Sequence, residues 1–106
     1  MKSFLENEIV FKLGQNAEEN WEIIDTDESF IWFHLNSFPS GHVVIESSLL
    51  SDDLILKAAQ LCKQNTKYRN LKNVKVCYTN IGNLKKGKEV GSVVFKSKRK
   101  VNIIML

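Results

Sequence analysis

Six short apolar segments, each of strand length, follow one another along this chain of 106 residues and are separated by turn residues. Two helix-capping signals interrupt the series, one after the first segment and one after the third. The order of elements is therefore β-α-β-β-α-β-β-β. This order predicts an α+β fold, a largely antiparallel sheet with two helices packed on one face. The segments comprise residues 8–13, 30–35, 42–46, 74–79, 92–96 and 101–105.

Each helix is predicted from its N-cap and from the apolar spacing that follows it. Asn16 precedes Glu19 by three residues, which is the spacing of a capping box. Ser51 caps the second helix and is followed by Asp52 and Asp53 in the first turn, where the helix dipole favours anions. Apolar residues recur at helical spacing after both caps, so each helix has one apolar face for the core.

The turns indicate how the strands are connected. Residues 39–41, Pro-Ser-Gly, separate two apolar segments by a short turn, so an antiparallel hairpin is expected there. Residues 80–91 contain three glycines and three lysines and are expected to form a loop. Residues 97–100, SKRK, are expected to be a tight basic connection between the last two strands.

Length and composition indicate one domain over residues 1–106. No apolar run could span a bilayer, and the N-terminus has neither a secretory signal nor a lipidation pattern. Cys62 and Cys77 are too few for a disulfide scaffold, so both are interpreted as core residues in a reducing compartment. We therefore expect a cytoplasmic protein with no membrane partner and no cofactor.

The charges are separated along the sequence. Residues 1–62 contain three basic and eleven acidic residues, a net charge of −8. Residues 63–106 contain twelve basic residues and one acidic residue, Glu89, a net charge of +11. Such asymmetry is typical of a surface that binds a polyanion, most often nucleic acid. A solvated lysine-rich surface without a partner is the alternative interpretation.

Three basic stretches could follow a phosphate backbone, namely residues 63–75, 85–88 and 96–100. The last two flank one predicted strand, so folding can bring them together. Glycines in the loop allow the backbone to approach a phosphate closely, although no P-loop pattern is present. The cations expected to neutralise phosphates are Lys85, Lys86, Lys88, Lys96, Lys98, Arg99 and Lys100.

The aromatic and imidazole side chains have more than one interpretation. Trp32 and His34 share a strand face and could stack on unpaired bases, but a core role is favoured for Trp32. His34 and His42, with Glu46 nearby, could bind a metal or act in acid–base chemistry. Their spacing matches no zinc signature, and a structural hydrogen bond is favoured. His34, His42 and Asn83 are expected to add hydrogen bonds to a nucleic acid, and no catalytic or metal-binding residue is assigned.

Several segments of the chain resemble the NFACT-R domain family. Gly14 to Asn20, Ile31 to Leu35 and Pro39 to Val43 follow the order and spacing of that family. A later strand and the run Asn83-Leu84-Lys85-Lys86 match its strand and basic loop. The resemblance extends from about Ile9 to Leu106. It is nearest to the small stand-alone branch that includes coiled-coil-domain-containing protein 25.

This resemblance implies an RNA-binding module. In that family the domain lies in large proteins of ribosome-associated quality control, which bind the large ribosomal subunit and a tRNA. Gln15 and Phe30 depart from the family pattern, which has a basic and an acidic residue at these positions, so no role is carried over to them. The family signature carries over to Gly14, Asn16, Trp32 and Gly41, together with His34, His42, Asn83, Lys85 and Lys86.

Three functions follow from these features. The leading hypothesis is a module that binds RNA, either tRNA or rRNA, with DNA as an alternative ligand. The second hypothesis is an enzyme that acts on RNA or a nucleotide and uses His34 and His42. The third is a protein-interaction module at the ribosome, which would use the acidic first part of the chain.

Overall fold

The computed structural model describes all 106 residues. The helices are α1 (Ala17–Glu22) and α2 (Asp52–Gln64). Neither has the length and apolar character that a membrane crossing needs. Two 3-10 turns occupy Ile81–Asn83 and Lys98–Lys100. The strands are β1 (Lys2–Glu6), β2 (Ile9–Leu13), β3 (Ile31–Leu35), β4 (Val43–Ile45), β5 (Lys75–Asn80), β6 (Leu84–Lys86), β7 (Val93–Phe95) and β8 (Asn102–Met105).

Six strands form one antiparallel sheet in the order β1-β2-β4-β3-β5-β8, and β6 pairs with β7 in a separate antiparallel ribbon. The predicted hairpin is confirmed, because β3 pairs with β4 and places Trp32 opposite Val44. Both strands also have a second neighbour, so they lie inside the sheet. The α+β class with a largely antiparallel sheet is thereby confirmed.

The side chains of β3 divide the core into two clusters. Phe33 and Leu35 lie on the face that α2 covers, where they pack with Ala58 and Cys62. Trp32 lies on the other face, in a second buried cluster. Because successive side chains of a strand point to opposite faces, a central strand that is apolar at nearly every position needs cover on both sides.

The two helices lie on opposite faces of the sheet, whereas the sequence led us to expect both on one face. Trp21 of α1 and the following residues Ile23 and Ile24 pack with the cluster around Trp32, away from α2. The ribbon of β6 and β7 adds Leu84 to the same cluster. The apolar stripe of a helix shows that it is buried but not against which face, and here both faces of β3 require cover.

Two strands are missed by the sequence pattern. All five residues of β1 are exposed, so this edge strand has no alternation of buried and exposed residues to reveal it. The strand β6 lies within residues 80–91, which were expected to form a loop, and only Leu84 of its three residues is buried. The last two strands are not partners, because β7 pairs with β6 and β8 pairs with β5. The SKRK connection therefore joins two separate sheets.

Both predicted N-caps are confirmed. The Asn16 side chain accepts a hydrogen bond from the Glu19 amide at 2.9 Å, and Ser51 accepts one from the Leu54 amide at 3.2 Å. The Glu19 carboxylate accepts the amide of Gln15 instead of that of Asn16, and it also pairs with the N-terminal amine of Met1. These contacts fix the start of α1 beside β2.

Candidate nucleic-acid interface

The seven cations expected to meet phosphates all lie exposed around the β6–β7 ribbon. Lys85 and Lys86 are in β6 and not in a loop, and Lys88 follows in the turn. Lys96 comes directly after β7, and Lys98–Lys100 forms the 3-10 turn that leads to β8. The structure thus brings the second and third basic stretches to one ribbon and the turn attached to it, which we call the basic ribbon (residues 84–100).

The two ends of the basic ribbon are fastened by a buried amide. Asn83, which is only 6% exposed, donates to the Ser97 carbonyl at 2.9 Å and accepts from the Ser97 amide at 2.9 Å. It also donates to the hydroxyl of Thr79, which in turn donates to the Lys100 carbonyl at 2.9 Å. The turn Lys98–Lys100 is therefore held at both ends. The Asn83 amide is thus buried and engaged within the protein, and its predicted contact with a ligand stays a prediction.

Most cations of the second part of the chain have no acidic partner. Of the twelve basic residues in 63–106, only Lys86 forms an ion pair, with Asp25 at 2.9 Å. The other three ion pairs lie within residues 1–62. Eleven of these cations thus form no ion pair. A surface of unpaired cations attracts polyanions, and binding is favoured because it releases the counterions held by the polyanion.

The basic ribbon rests on α1 through Trp21. The Trp21 indole Nε1 donates to the Ser92 carbonyl at 2.7 Å, and Lys86 Nζ lies 5.4 Å from the centre of the indole ring. Gly91 has a φ of +90°, and a Cβ there would lie 2.9 Å from the Cα of Ala17. A glycine at position 91 therefore allows the ribbon to approach α1 closely.

The signature aromatic and imidazole residues form a buried cluster behind the ribbon. Trp32 is 1% exposed, which confirms the core interpretation, and its ring is nearly parallel to that of His34 at 5.7 Å. The ring of His42 lies 5.3 Å from Trp32 and 5.2 Å from His34, edge-on to both. His42 is 3% exposed and therefore lies in the core, and its predicted contact with a ligand stays a prediction.

Both imidazoles are fixed by backbone carbonyls. Since a carbonyl oxygen only accepts, Nδ1 of His42 donates to Asn20 and Nδ1 of His34 donates to Leu35, at 3.1 Å and 2.6 Å. Burial lowers the pKa of His34, and burial together with the charge of His34 lowers the pKa of His42 to about 3. His42 is thus a weak base that is poorly matched to proton transfer at neutral pH, and the hydrogen bonds of both rings to backbone carbonyls support a structural role.

The other side chains that could react or bind a metal are buried or paired within the protein. Glu46 pairs with Lys12 at 2.6 Å and not with the histidines. No three His, Cys, Asp or Glu side chains are grouped in a way that could hold a metal ion. Cys62 and Cys77 are free and buried, and burial raises the pKa of each thiol to about 11. Neither cysteine is therefore a thiolate at neutral pH.

A cavity of about 670 Å³ lies where the turn after β2, with Gly14, meets the β3–β4 turn, with Gly41. The sequence pattern did not predict this cavity. Gly14, Asn16 and Gly41 line it, so three of the four signature residues share one site. A Cβ on Gly14 would overlap Asn20, and one on Gly41 would overlap the Gly14 carbonyl. The clustering of signature glycines in two turns was the available signal. We call this cavity the turn pocket; its walls are residues 13–17, 20, 39–41, 65–68 and 90–91.

The comparison with protein families identifies the chain. The sequence profile of the NFACT protein RNA binding domain matches residues 4–97, most of the chain. The chain belongs to the NFACT-R family. The chain is therefore an RNA-binding domain of this family, and the resemblance inferred from the signature residues is confirmed.

Two related proteins are much longer than this chain. The Rqc2 homolog RqcH of Bacillus subtilis (strain 168) is 36% identical over 94 residues, which is 84% of this chain and 16% of RqcH. The structure of the C-terminal part of the fibronectin/fibrinogen-binding protein from Streptococcus suis matches with a TM-score of 0.87 at 23% identity. That match covers 98% of this chain and 44% of the streptococcal chain, and it shows a shared fold.

Proposed function

We propose that residues 1–106 act as one NFACT-R domain that binds structured RNA, such as tRNA or rRNA, through the basic ribbon. The observation that carries this proposal is the separation of charge in the folded protein. Eleven of the twelve cations in residues 63–106 have no acidic partner, although the first part of the chain has a net charge of −8. Binding would then neutralise RNA phosphates with cations that the fold leaves free.

The ribbon suits this role because its backbone is held by hydrogen bonds while its cations are exposed. Antiparallel pairing places Lys85 opposite Val94 and Lys86 opposite Val93. The hydrogen bonds of Asn83 and Thr79 hold the turn Lys98–Lys100 in a fixed position. Lysines on a fixed backbone lose less freedom when they meet phosphates than lysines on a mobile loop.

We further propose that the protein works at the ribosome in the cytoplasm. Two findings support this proposal. The chain belongs to the NFACT-R family, whose resemblance implies ribosome-associated quality control, and it is similar to the Rqc2 homolog RqcH. His42 and both thiols are buried, and the His34 imidazole is only partly exposed and bonded to a backbone carbonyl, so RNA binding is the function that the geometry favours.

A salt titration with charge variants tests the RNA proposal. Fluorescence anisotropy would compare tRNA, single-stranded RNA and duplex DNA of equal length at several salt concentrations. Replacing Lys85 and Lys86 with Ala should weaken binding to every ligand and reduce the slope of log K against log salt by about one to two. If Lys86 keeps its ion pair with Asp25 in the complex, the slope should fall by less than the loss of two phosphate contacts would give.

The matched control removes two lysines from the acidic part of the chain. Replacing Lys2 and Lys57 with Ala changes the net charge by the same amount, but neither residue lies in the basic ribbon. We expect this control to keep the slope of the wild type. Equal slopes for both double variants, or weak binding to all three ligands, would contradict the proposal.

A further inference from the structure

The turn pocket has walls from two stretches of unpaired cations. Lys67 lines it and belongs to the basic stretch of residues 63–75. Val90 and Gly91 also line it and belong to the basic ribbon, where Val90 lies two residues beyond Lys88. A polyanion that contacts both stretches would therefore cross the mouth of the pocket.

The pocket offers hydrogen-bond donors whose orientation is fixed. The side-chain oxygen of Asn16 accepts from the Glu19 amide, and that of Asn20 accepts from the His42 amide at 3.0 Å. Each side-chain amide therefore keeps its NH2 group without a protein partner. No Asp or Glu lines the pocket, and Lys67 is its only charged side chain. Such a lining suits an anionic ligand and not a metal cation.

The pocket also contains an aromatic side chain. Tyr68 lies in its wall, and the ring of Phe38 stacks on the Tyr68 ring at 4.3 Å with an angle of 26° between the ring planes. Lys67 Nζ lies 5.4 Å from the centre of the Tyr68 ring. A cation beside a supported aromatic ring can hold the phosphate and the base of one nucleotide together.

We propose that the turn pocket accepts one unpaired nucleotide of the bound RNA, extruded from a loop or a bulge. Its phosphate would meet Lys67 and the NH2 groups of Asn16 and Asn20, and its base would contact Tyr68. The volume of about 670 Å³ is within the range of small-molecule sites and has room for one nucleotide. This inference rests on the proposed function, since it adds recognition of an unpaired base to the general attraction for phosphates.

The test compares two RNA hairpins that differ by a single bulged nucleotide. Fluorescence anisotropy at fixed salt should show that the wild type prefers the bulged hairpin. Tyr68→Leu should reduce this preference by about fivefold to a hundredfold, which is the effect expected when base stacking on an aromatic ring is lost. Lys67→Ala should weaken binding to the bulged hairpin more than Lys72→Ala, its matched control from the same basic stretch outside the pocket.

A second variant fills the pocket without disturbing the core. Val90 is 50% exposed and lines the pocket, so Val90→Trp should block entry while the domain stays folded. We expect it to remove the preference for the bulged hairpin and to leave the salt slope unchanged. If RNA binds with its normal salt slope but both hairpins bind equally to the wild type, or the pocket variants keep the preference, the pocket inference is wrong and the RNA proposal stands. If no hairpin binds, the RNA proposal itself fails.

Discussion

Asn83 shows what the sequence does not reveal about the surroundings of a predicted site residue. Its place before two lysines suggested contact with a ligand, but the structure uses its amide to join Ser97 to the start of β6. A side chain of moderate polarity gives no sign in the sequence of whether it is buried. The sequence indicates Asn83 as a residue of interest. It does not indicate the hydrogen bonds to Ser97, which is distant along the chain.

Asn83→Ala should therefore destabilise the domain. The change leaves the amide and the carbonyl of Ser97 and the hydroxyl of Thr79 without this partner, and the expected loss is about 2–4 kcal/mol in the free energy of unfolding. Urea denaturation measures it. Asn83→Asp keeps the acceptor for the Ser97 amide and should lose less. A fully stable Asn83→Ala variant with weak RNA binding would instead place Asn83 in direct contact with RNA.

The buried imidazoles should make stability depend on pH. In the folded protein the pKa of His42 is about 3, against 6.5 for an unperturbed histidine, and that of His34 is also lowered. Below pH 6.5 the unfolded chain binds protons that the folded protein does not. Stability should therefore be highest above pH 6.5 and should fall as the pH falls, with His42 contributing up to about 1.4 kcal/mol per pH unit down to about pH 3 and His34 acting in the same direction.

Urea denaturation between pH 7.5 and pH 5.0 measures this effect before most carboxylates titrate. The control is His42→Asn, whose side-chain amide can replace the Nδ1 donor to Asn20 but does not titrate. This variant should be less stable at pH 7.5 and should lose stability less steeply below pH 6.5. An unchanged steepness would show that His42 does not titrate in this way.

At the scale of elements, the sequence predicts the segments better than their partners. The helix caps and the β3–β4 hairpin are local features, so residues 16–19, 39–41 and 51–54 are sufficient to indicate them. The pairing of β6 with β7 and of β8 with β5 depends on packing between distant parts of the chain. For the same reason the face on which α1 lies could not be read from its apolar spacing.

The approach of the basic ribbon to α1 should depend on Gly91. Gly91→Ala would force a side chain into the left-handed region and place its Cβ 3.0 Å from the Ala17 carbonyl oxygen, where only backbone could give way. We expect a loss of about 1–3 kcal/mol in the free energy of unfolding. Gly82→Ala is the control, because its Cβ would meet Glu28 at 3.2 Å and φ there is not positive. Similar Tm values for both variants would argue against a tight contact at Gly91.

At the scale of the molecule, the charge separation of the sequence persists in the fold. Three of the four ion pairs join groups within residues 1–62, and only Lys86–Asp25 connects the two parts. Folding could have paired the basic residues of one part with the acidic residues of the other. Only the structure shows that the charge separation remains. The turn pocket likewise could not be predicted from the sequence, because its walls come from four separate segments, within residues 13–20, 39–41, 65–68 and 90–91.

If the protein binds the ribosome through RNA, the two charged parts should behave differently in co-sedimentation. Lys98→Glu with Lys100→Glu reverses two cations of the basic ribbon and should weaken ribosome binding by about tenfold or more at moderate salt. Glu18→Lys with Glu22→Lys reverses two exposed acidic residues of α1 that form no ion pair, and it should leave binding equal or stronger. Binding of both variants to tRNA, measured in parallel, should follow the same order. Loss of co-sedimentation by the glutamate variant, with tRNA binding intact, would instead support the third hypothesis, in which the acidic part contacts a ribosomal protein.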